Sequence, residues 1–422
     1  MPVAVLVNLT ALDPQRNGGA SRIAWHVSRL LLEMPGVRPV FVTRAGYAAE
    51  FTPWLGARAV ILPMLMRSRL LEGQVRTFTE AIAPDMIISP LFGADPFHHA
   101  GRAHVAFLPD TLALDHPEYF SPQDAHARRL IVDRLRRADA IVTLSAFASA
   151  QLQAHGLPAA RVRVIPPGAD NVDAAGVDET GVPPGRFWLY PANLWPHKRH
   201  GLLLGALAHA RQRGHDVRLV LTGHPDGLEA LQAQAQALGL PDHALQHCGY
   251  VSDARLHALY RRAEALLFPS SYEGCGMPLL EAMRAGCPVI CAPRAAIPEV
   301  VGEAALMVQP DDSPQAWASA ALDVLPARRQ ALIEAGRAHA HDHTWQAARA
   351  AWRSLLLQTG LREDPAAPPD AMPDQTAALN ALRMSSLDSG RMRRLMGTPW
   401  LWRAQRTMLA QAAVYAGRQP PT

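Results

Sequence analysis

Short apolar runs rich in β-branched residues alternate with amphipathic stretches along this chain. Val3 to Leu9, Pro39 to Val42, Ala59 to Leu62, Met86 to Ser89, His104 to Leu108, Ala140 to Leu144 and Val162 to Ile165 read as strands. Between them, Ala20 to Glu33 and Ala125 to Arg137 carry helical spacing. Strands alternating with helices predict a parallel sheet, because parallel neighbours need a crossover to connect them. Asp170 to Gly185, with Gly176, Gly181, Pro183, Pro184 and Gly185, has the composition of a linker. A second alternation begins at Phe187 to Tyr190 and continues through a helix from Arg199 to Arg213, Val217 to Thr222 and Ala263 to Pro269. The expected class is therefore α/β, two doubly wound domains facing across a cleft. Ligands of open α/β sheets bind at the C-terminal ends of the strands.

The densest chemistry follows the run Ala263 to Pro269. Pro278 to Ala285 reads as a helix with proline at its first position and Gly286 just past its end. A strand, a glycine loop and a helix start thus succeed one another. Free N–H groups at a helix start bind phosphate, and Gly274 and Gly276 let backbone approach a diphosphate closely. Glu273 and Glu281 flank the loop. Carboxylates accept hydrogen bonds and cannot donate them, which suits the hydroxyls of a sugar for Glu273 and of a ribose for Glu281. Two solvated surface glutamates are the plain alternative. Lys198 follows the first strand of the second domain, where an ammonium can neutralise a leaving diphosphate. Asn17-Gly18-Gly19 lies between the first strand and a helix expected to begin near Ser21, where the glycines either approach a ligand or make a tight turn.

Composition narrows the class further. The 422 residues hold 49% hydrophobic and 18% charged residues, ordinary for a globular protein of two or three domains. With 41 basic against 37 acidic residues the net charge is only +4, so the pI of 9.1 gives no argument for nucleic acid. The four cysteines form no Cys-x-x-Cys pair, which argues against a metal ribbon and for a reducing compartment. Met1 to Val7 runs directly into a strand without a basic leader, and no apolar stretch reaches membrane-spanning length, so a cytoplasmic location is expected. His98-His99 lacks a third ligand, and no two aspartates are separated by a single residue, so no metal is expected.

The string Ser271-Tyr272-Glu273-Gly274-Cys275-Gly276-Met277-Pro278-Leu279-Leu280-Glu281 resembles the Glu-x7-Glu signature of retaining glycosyltransferases with the GT-B fold, glycosyltransferase family 4 (group 1) in particular. Gly249-Tyr250-Val251-Ser252-Asp253, Phe268-Pro269-Ser270, Gly286-Cys287-Pro288-Val289 and Ile297-Pro298-Glu299-Val300-Val301-Gly302 follow in the order of its mannosyltransferase-like members. The resemblance implies two Rossmann-like domains, with a last helix crossing back to the first. The boundaries expected are residues 1–172 for the N-terminal acceptor-side domain and 173–185 for the linker. Residues 186–345 would form the nucleotide-sugar-binding domain and 346–362 the crossing helix. The rest, 363–422, would be a proline-rich joint and a basic helical tail.

It further implies transfer of a hexose from a nucleoside diphosphate sugar, with GDP-mannose the first guess, to a glycan or lipid-linked acceptor, with retention and without a metal. Glu273, Lys198 and Asp110 would act in transfer. The donor would be bound by Glu281, Gly274, Cys275, Gly276, Met277, Pro278, Asn193, Gly223, Tyr250, Gly18 and Gly19. The chain departs from the family in three places. Pro109 stands where relatives have a histidine, Asn193 stands where many have an arginine, and the tail is additional. In the tail Thr398 can cap a helix from Pro399 to Gly417 with Leu401, Ala404, Met408, Ala412 and Tyr415 on one face, and residues 389–422 hold six arginines and no acid. Residues 391–417 could therefore meet an anionic membrane, the alternatives being a helix docked on the first domain or a disordered tail. The rival readings of the whole are a catalytically silent nucleotide-sugar-binding subunit and a GT-B epimerase or phosphorylase.

Overall fold

A computed structural model describes residues 3–13, 18–56, 59–64, 68–91, 97, 103–171, 176–308, 313–364, 409, 410, 412 and 413. The first sheet contains β1 (Val3–Asn8), β2 (Val37–Arg44), β3 (Val60–Met64), β4 (Met86–Ser89), β5 (Ala103–Phe107), β6 (Ala140–Thr143) and β7 (Val162–Val164). Its order is β3-β2-β1-β4-β5-β6-β7, with every pairing parallel. The second contains β8 (Phe187–Pro191), β9 (Arg218–Thr222), β10 (Leu245–His247), β11 (Ala265–Phe268), β12 (Val289–Cys291) and β13 (Leu306–Met307). Its order is β10-β9-β8-β11-β12-β13, again all parallel. Central strands such as β4 and β11 are buried along their whole length, which is why they appear in the sequence as unbroken apolar runs.

Each sheet reverses its strand order once, between β1 and β4 and between β8 and β11. The segments that leave the C-terminal ends of those neighbours are thereby brought together. The helix Gly18–Glu33 follows β1 and buries Ile23, Ala24, Val27, Leu30 and Leu31, one stripe at helical spacing. It begins at Gly18, earlier than the start expected near Ser21, so Gly18 and Gly19 form its first turn rather than a preceding loop.

The last long helix, Trp345–Gln358, is capped by Thr344, whose hydroxyl accepts from Ala347 N at 3.1 Å. It lies on the first domain: Trp345 stacks on His26 at 3.7 Å between ring centroids, and Trp352 meets the edge of Phe107. The return is tight. Trp345 N donates to Asp170 Oδ1 at 2.7 Å, and a Cβ on Gly168 would stand 2.2 Å from Trp345 N. Of the tail, Leu409, Ala412 and Ala413 are buried within the main apolar core. That covers the expected apolar face at Ala412, while Thr398, Leu401, Ala404, Met408 and Tyr415 lie outside the described residues. His98, His99 and Asn17 do so as well. Among the described residues no helix is long and apolar enough to cross a membrane.

Candidate active site

The two sheets face each other across a cleft of about 1040 Å³. Lining it are Gly18, Gly19, Asp110, Asn193, Lys198, Gly223, Tyr250, Glu273, Gly274, Cys275, Gly276, Met277, Pro278 and Glu281. The topology explains the convergence. Lys198 ends the turn Pro196–Lys198 beyond β8, and Glu273 sits in the loop beyond β11, the strand beside β8. Lys198 Nζ lies 2.6 Å from Glu273 Oε1, and the two side chains are 13% and 10% exposed. An ammonium has three donors, so two remain for a ligand's phosphate oxygens once Glu273 is satisfied.

The helix beyond the loop runs from Met277 to Ala285, one residue earlier than expected. Pro278 lies in its first turn and Gly286, at φ 79°, caps its end. Gly276 precedes it at φ 82°, a conformation that disfavours any side chain, and the first turn lines the cleft through Met277, Pro278 and Glu281. Gly274 is constrained by a neighbour rather than by its own backbone, since a Cβ there would fall 2.1 Å from the carbonyl oxygen of Pro109 in the first domain. The loop is thus docked on the opposite domain. Ser145 Oγ donates to Gly274 O at 2.7 Å, and the carboxylate of Glu299 caps the helix Ala146–Ala154 by accepting from Ala146 N at 2.6 Å and Phe147 N at 2.9 Å.

Asp110 reaches the cleft beside this contact. Burial lifts its carboxyl above the ordinary aspartate value, partly offset by the Leu112 N–H that Oδ1 accepts at 3.0 Å. Close by, Asp115 accepts from Thr111 Oγ1 at 2.7 Å and from the Tyr272 hydroxyl, and pairs with His155 Nε2 at 2.7 Å. Burial opposes its charge, yet the hydrogen bonds from Tyr272, Thr111 and His155 outweigh that and hold it below the usual range. His197, between Trp195 and Tyr119, is pushed down to about 3 by burial and by Lys198 next to it, so its ring is neutral at physiological pH.

Two of the expected donor-binding residues, Asn193 and Glu281, also make contacts within the protein. Asn193 Oδ1 accepts from His224 N at 2.8 Å and from the Tyr250 hydroxyl at 3.3 Å, and a Cβ on Gly223 would meet it at 2.8 Å. Its carboxamide oxygen thus ties together the loops after β8, β9 and β10, while the residue still lines the cleft. Glu281 is 3% exposed and already engaged, by Arg22 on Oε1 and by the Tyr260 hydroxyl on Oε2 at 3.1 Å. Neither Arg22 nor Tyr260 was legible in the sequence. Arg22 is one basic residue on an amphipathic helix and Tyr260 one buried aromatic of the helix Asp253–Arg262, and neither spacing marks a ligand site.

Two facing Rossmann-like sheets, with a glycine loop, a helix start and a lysine–glutamate pair in the cleft between them, define a GT-B fold. Residues 17–172 match the family described as Glycosyltransferase Family 4, and residues 181–339 match the family described as Glycosyl transferases group 1. The chain belongs to this group, carrying both of its domains.

Among curated relatives, O-antigen chain mannosyltransferase B of Escherichia coli is 35% identical over 127 residues, 30% of this chain and 33% of that protein. D-inositol 3-phosphate glycosyltransferase of Segniliparus rotundus is 30% identical over 201 residues, 44% of each chain. The chain therefore spans between a third and a half of these two relatives. The structure of HepE from Anabaena in complex with UDP and glucose superposes with a TM-score of 0.68 at 19% identity, over 84% of this chain and 100% of that one, a likeness of fold.

Proposed function

We propose that this protein transfers a hexose from a nucleoside diphosphate sugar to a hydroxyl of a glycan or lipid-linked acceptor, with retention at the anomeric carbon. The observation that carries the reading is the Lys198–Glu273 pair set beside the start of the helix Met277–Ala285. The diphosphate lies against the positive end of that helix and the remaining donors of Lys198. Glu273 accepts from hydroxyls of the transferred sugar and Glu281 from the ribose. The bond from the anomeric carbon to the diphosphate oxygen breaks as the acceptor oxygen attacks from the same face, and the acceptor proton passes to the departing diphosphate. Charge grows on the leaving group, where Lys198 and the helix start stabilise it, so no divalent ion is needed.

Mannose from GDP-mannose is the donor we favour. Support comes from the mannosyltransferase named among the relatives, 35% identical over the matched residues. The test is a thermal-shift screen of the purified protein against GDP-, UDP- and ADP-sugars, followed by transfer assays and anomeric analysis of the product by NMR. Binding of a donor without turnover on any acceptor pool would favour a silent binding subunit. An inverted product would overturn retention. Activity that is lost in EDTA and restored by manganese would overturn the metal-free reading.

A further inference from the structure

The first domain reaches the buried acid at the far end of the cleft through one side chain. Arg22, in the second turn of the helix Gly18–Glu33, donates from Nη1 to Glu281 Oε1 and from Nη2 to Asp253 Oδ1, the latter at 2.5 Å. Both acceptors belong to the second domain. The side chain of Glu281 is 4% exposed, against 22% for Arg22 and 43% for Asp253. A carboxylate so enclosed needs donors aimed at it, and the guanidinium provides a fixed fork of them that sets its orientation. Asp253 holds the other arm of the fork and sets its direction. The helix start is pressed close at the same place, since a Cβ on Gly19 would lie 3.0 Å from Met277 Sδ. Arg22 and the Tyr260 hydroxyl use two of the roughly four lone-pair positions on Glu281, leaving about two for a ligand's hydroxyls.

We infer that Arg22 is a positioning residue for ribose recognition. From the first domain it holds the Glu281 carboxylate in its orientation, so the ribose subsite in the second domain is complete only when the two domains are docked. The inference rests on the reading of Glu281 as the ribose acceptor. Its consequence is that losing Arg22 weakens a ligand through its ribose hydroxyls and through no other part of it.

Deoxy-nucleotides isolate that effect. The full chain is titrated by calorimetry with GDP or UDP, whichever binds more tightly, and with the 2′-deoxy and 3′-deoxy forms of the same nucleotide. The parent protein should prefer the ribose form over at least one deoxy form by about tenfold or more, the worth of one charge-assisted hydrogen bond. In Arg22→Gln, affinity for the ribose form should fall by about that factor while affinity for that deoxy form stays within about threefold, which erases the preference. Arg22→Lys, with a charge but no fork, should fall between the two, and it decides the matter if the glutamine variant does not fold. Asp253→Asn should shift the preference in the same direction by less. Equal loss for ribose and deoxy forms, or an undiminished preference in Arg22→Gln and Arg22→Lys, overturns the inference. Glu281→Gln separates the two levels: an unchanged preference there, or no preference in the parent, overturns the ribose reading of Glu281 itself.

Discussion

Lys198 and Glu273 stand 75 positions apart in the chain, and their Nζ and Oε1 atoms lie 2.6 Å apart. The pair exists because β8 and β11 are neighbours at the point where the second sheet reverses its order. Glu273 is 9% exposed, whereas a glutamate in a glycine loop is ordinarily expected at the surface. Glu273→Gln should therefore do two things. Turnover should fall by roughly a hundredfold, since one charge-assisted contact to a developing transition state is worth about 3 kcal/mol. Stability should fall too, by about 1–3 kcal/mol, because the ammonium of Lys198 is left enclosed without its counter-charge. Kinetics measured well below the melting temperature separate the two effects. Turnover within about threefold of the parent would remove Glu273 from the reaction.

Lys198→Ala tests the other half of the pair. The diphosphate carries more charge when leaving than when bound, so kcat should drop by a larger factor than donor affinity. Single-turnover rates and calorimetric affinities measured on the same preparation give both numbers. Losses of equal size would mean that Lys198 binds the ground state and the transition state alike.

Gly274→Ala should impair the contact between the domains more than either domain alone. The added methyl would fall 2.1 Å from the carbonyl oxygen of Pro109, which is backbone and cannot rotate away, so the loop must withdraw from the first domain. The hydrogen bond from Ser145 Oγ to Gly274 O should be lost with it. Donor turnover should fall about tenfold or more, with the radius of gyration from small-angle scattering increased. A variant with parental turnover and unchanged scattering would show that the loop accommodates the methyl in place.

How far the sequence reveals this protein depends on the distance over which each feature is determined. The inner strands of the first sheet are legible because parallel strands buried on both faces leave continuous apolar runs, and the edge strand Val162–Val164 shows instead as β-branched residues alternating with a polar one. Leu245–His247, Val289–Cys291 and Leu306–Met307 are too short to show a period and become strands only by pairing with longer neighbours. The Glu273 to Glu281 segment is legible because strand, glycine loop and helix start are consecutive. The Arg22 contact and the packing of Gly274 on Pro109 are set between domains, and the pairing of Glu273 with Lys198 by strands distant in the chain, for which no local pattern exists. Asn193 illustrates the same limit. Its place in the motif suggested a phosphate contact, while its hydrogen bonds to His224 N and Tyr250 are fixed by the geometry of β9 and the loops around it.

Enclosed histidines, His26, His197 and His200 among them, make stability depend on pH. Burial holds His197 down to about 3 and His200 down to about 4, against about 6.5 in the unfolded chain. Between those values the unfolded state binds protons that the folded state does not, so stability rises with pH through this window and is lost as pH falls below about 6.5. Each ring contributes at most about 1.4 kcal/mol per pH unit. Melting temperatures recorded from pH 7 down to pH 5 should decline, and His197→Gln should flatten the decline by about one histidine's share. A parental slope in that variant would show that His197 is protonated in the fold.

Truncation of the C-terminal tail tests its packing and, separately, the proposed contact with an anionic membrane. Leu409, Ala412 and Ala413 are buried in the main core, and Asp364, from which the tail departs, donates its N–H to Pro35 O at 3.0 Å. Deleting residues 365–422 should therefore lower the melting temperature by several degrees, since burying one leucine is worth about 1.5–3 kcal/mol and each kcal/mol moves a domain of this size by about 2–4 °C. The arginines of residues 391–417 supply a second effect if they meet an anionic bilayer. Full-length protein should then co-sediment with acidic liposomes at low salt and release as salt rises, each arginine near the surface being worth about 1 kcal/mol and screened over about 8–10 Å. The truncated form should stay in the supernatant. Equal sedimentation of both forms removes the membrane role, and an unchanged melting temperature would show that the tail's buried residues carry no stability.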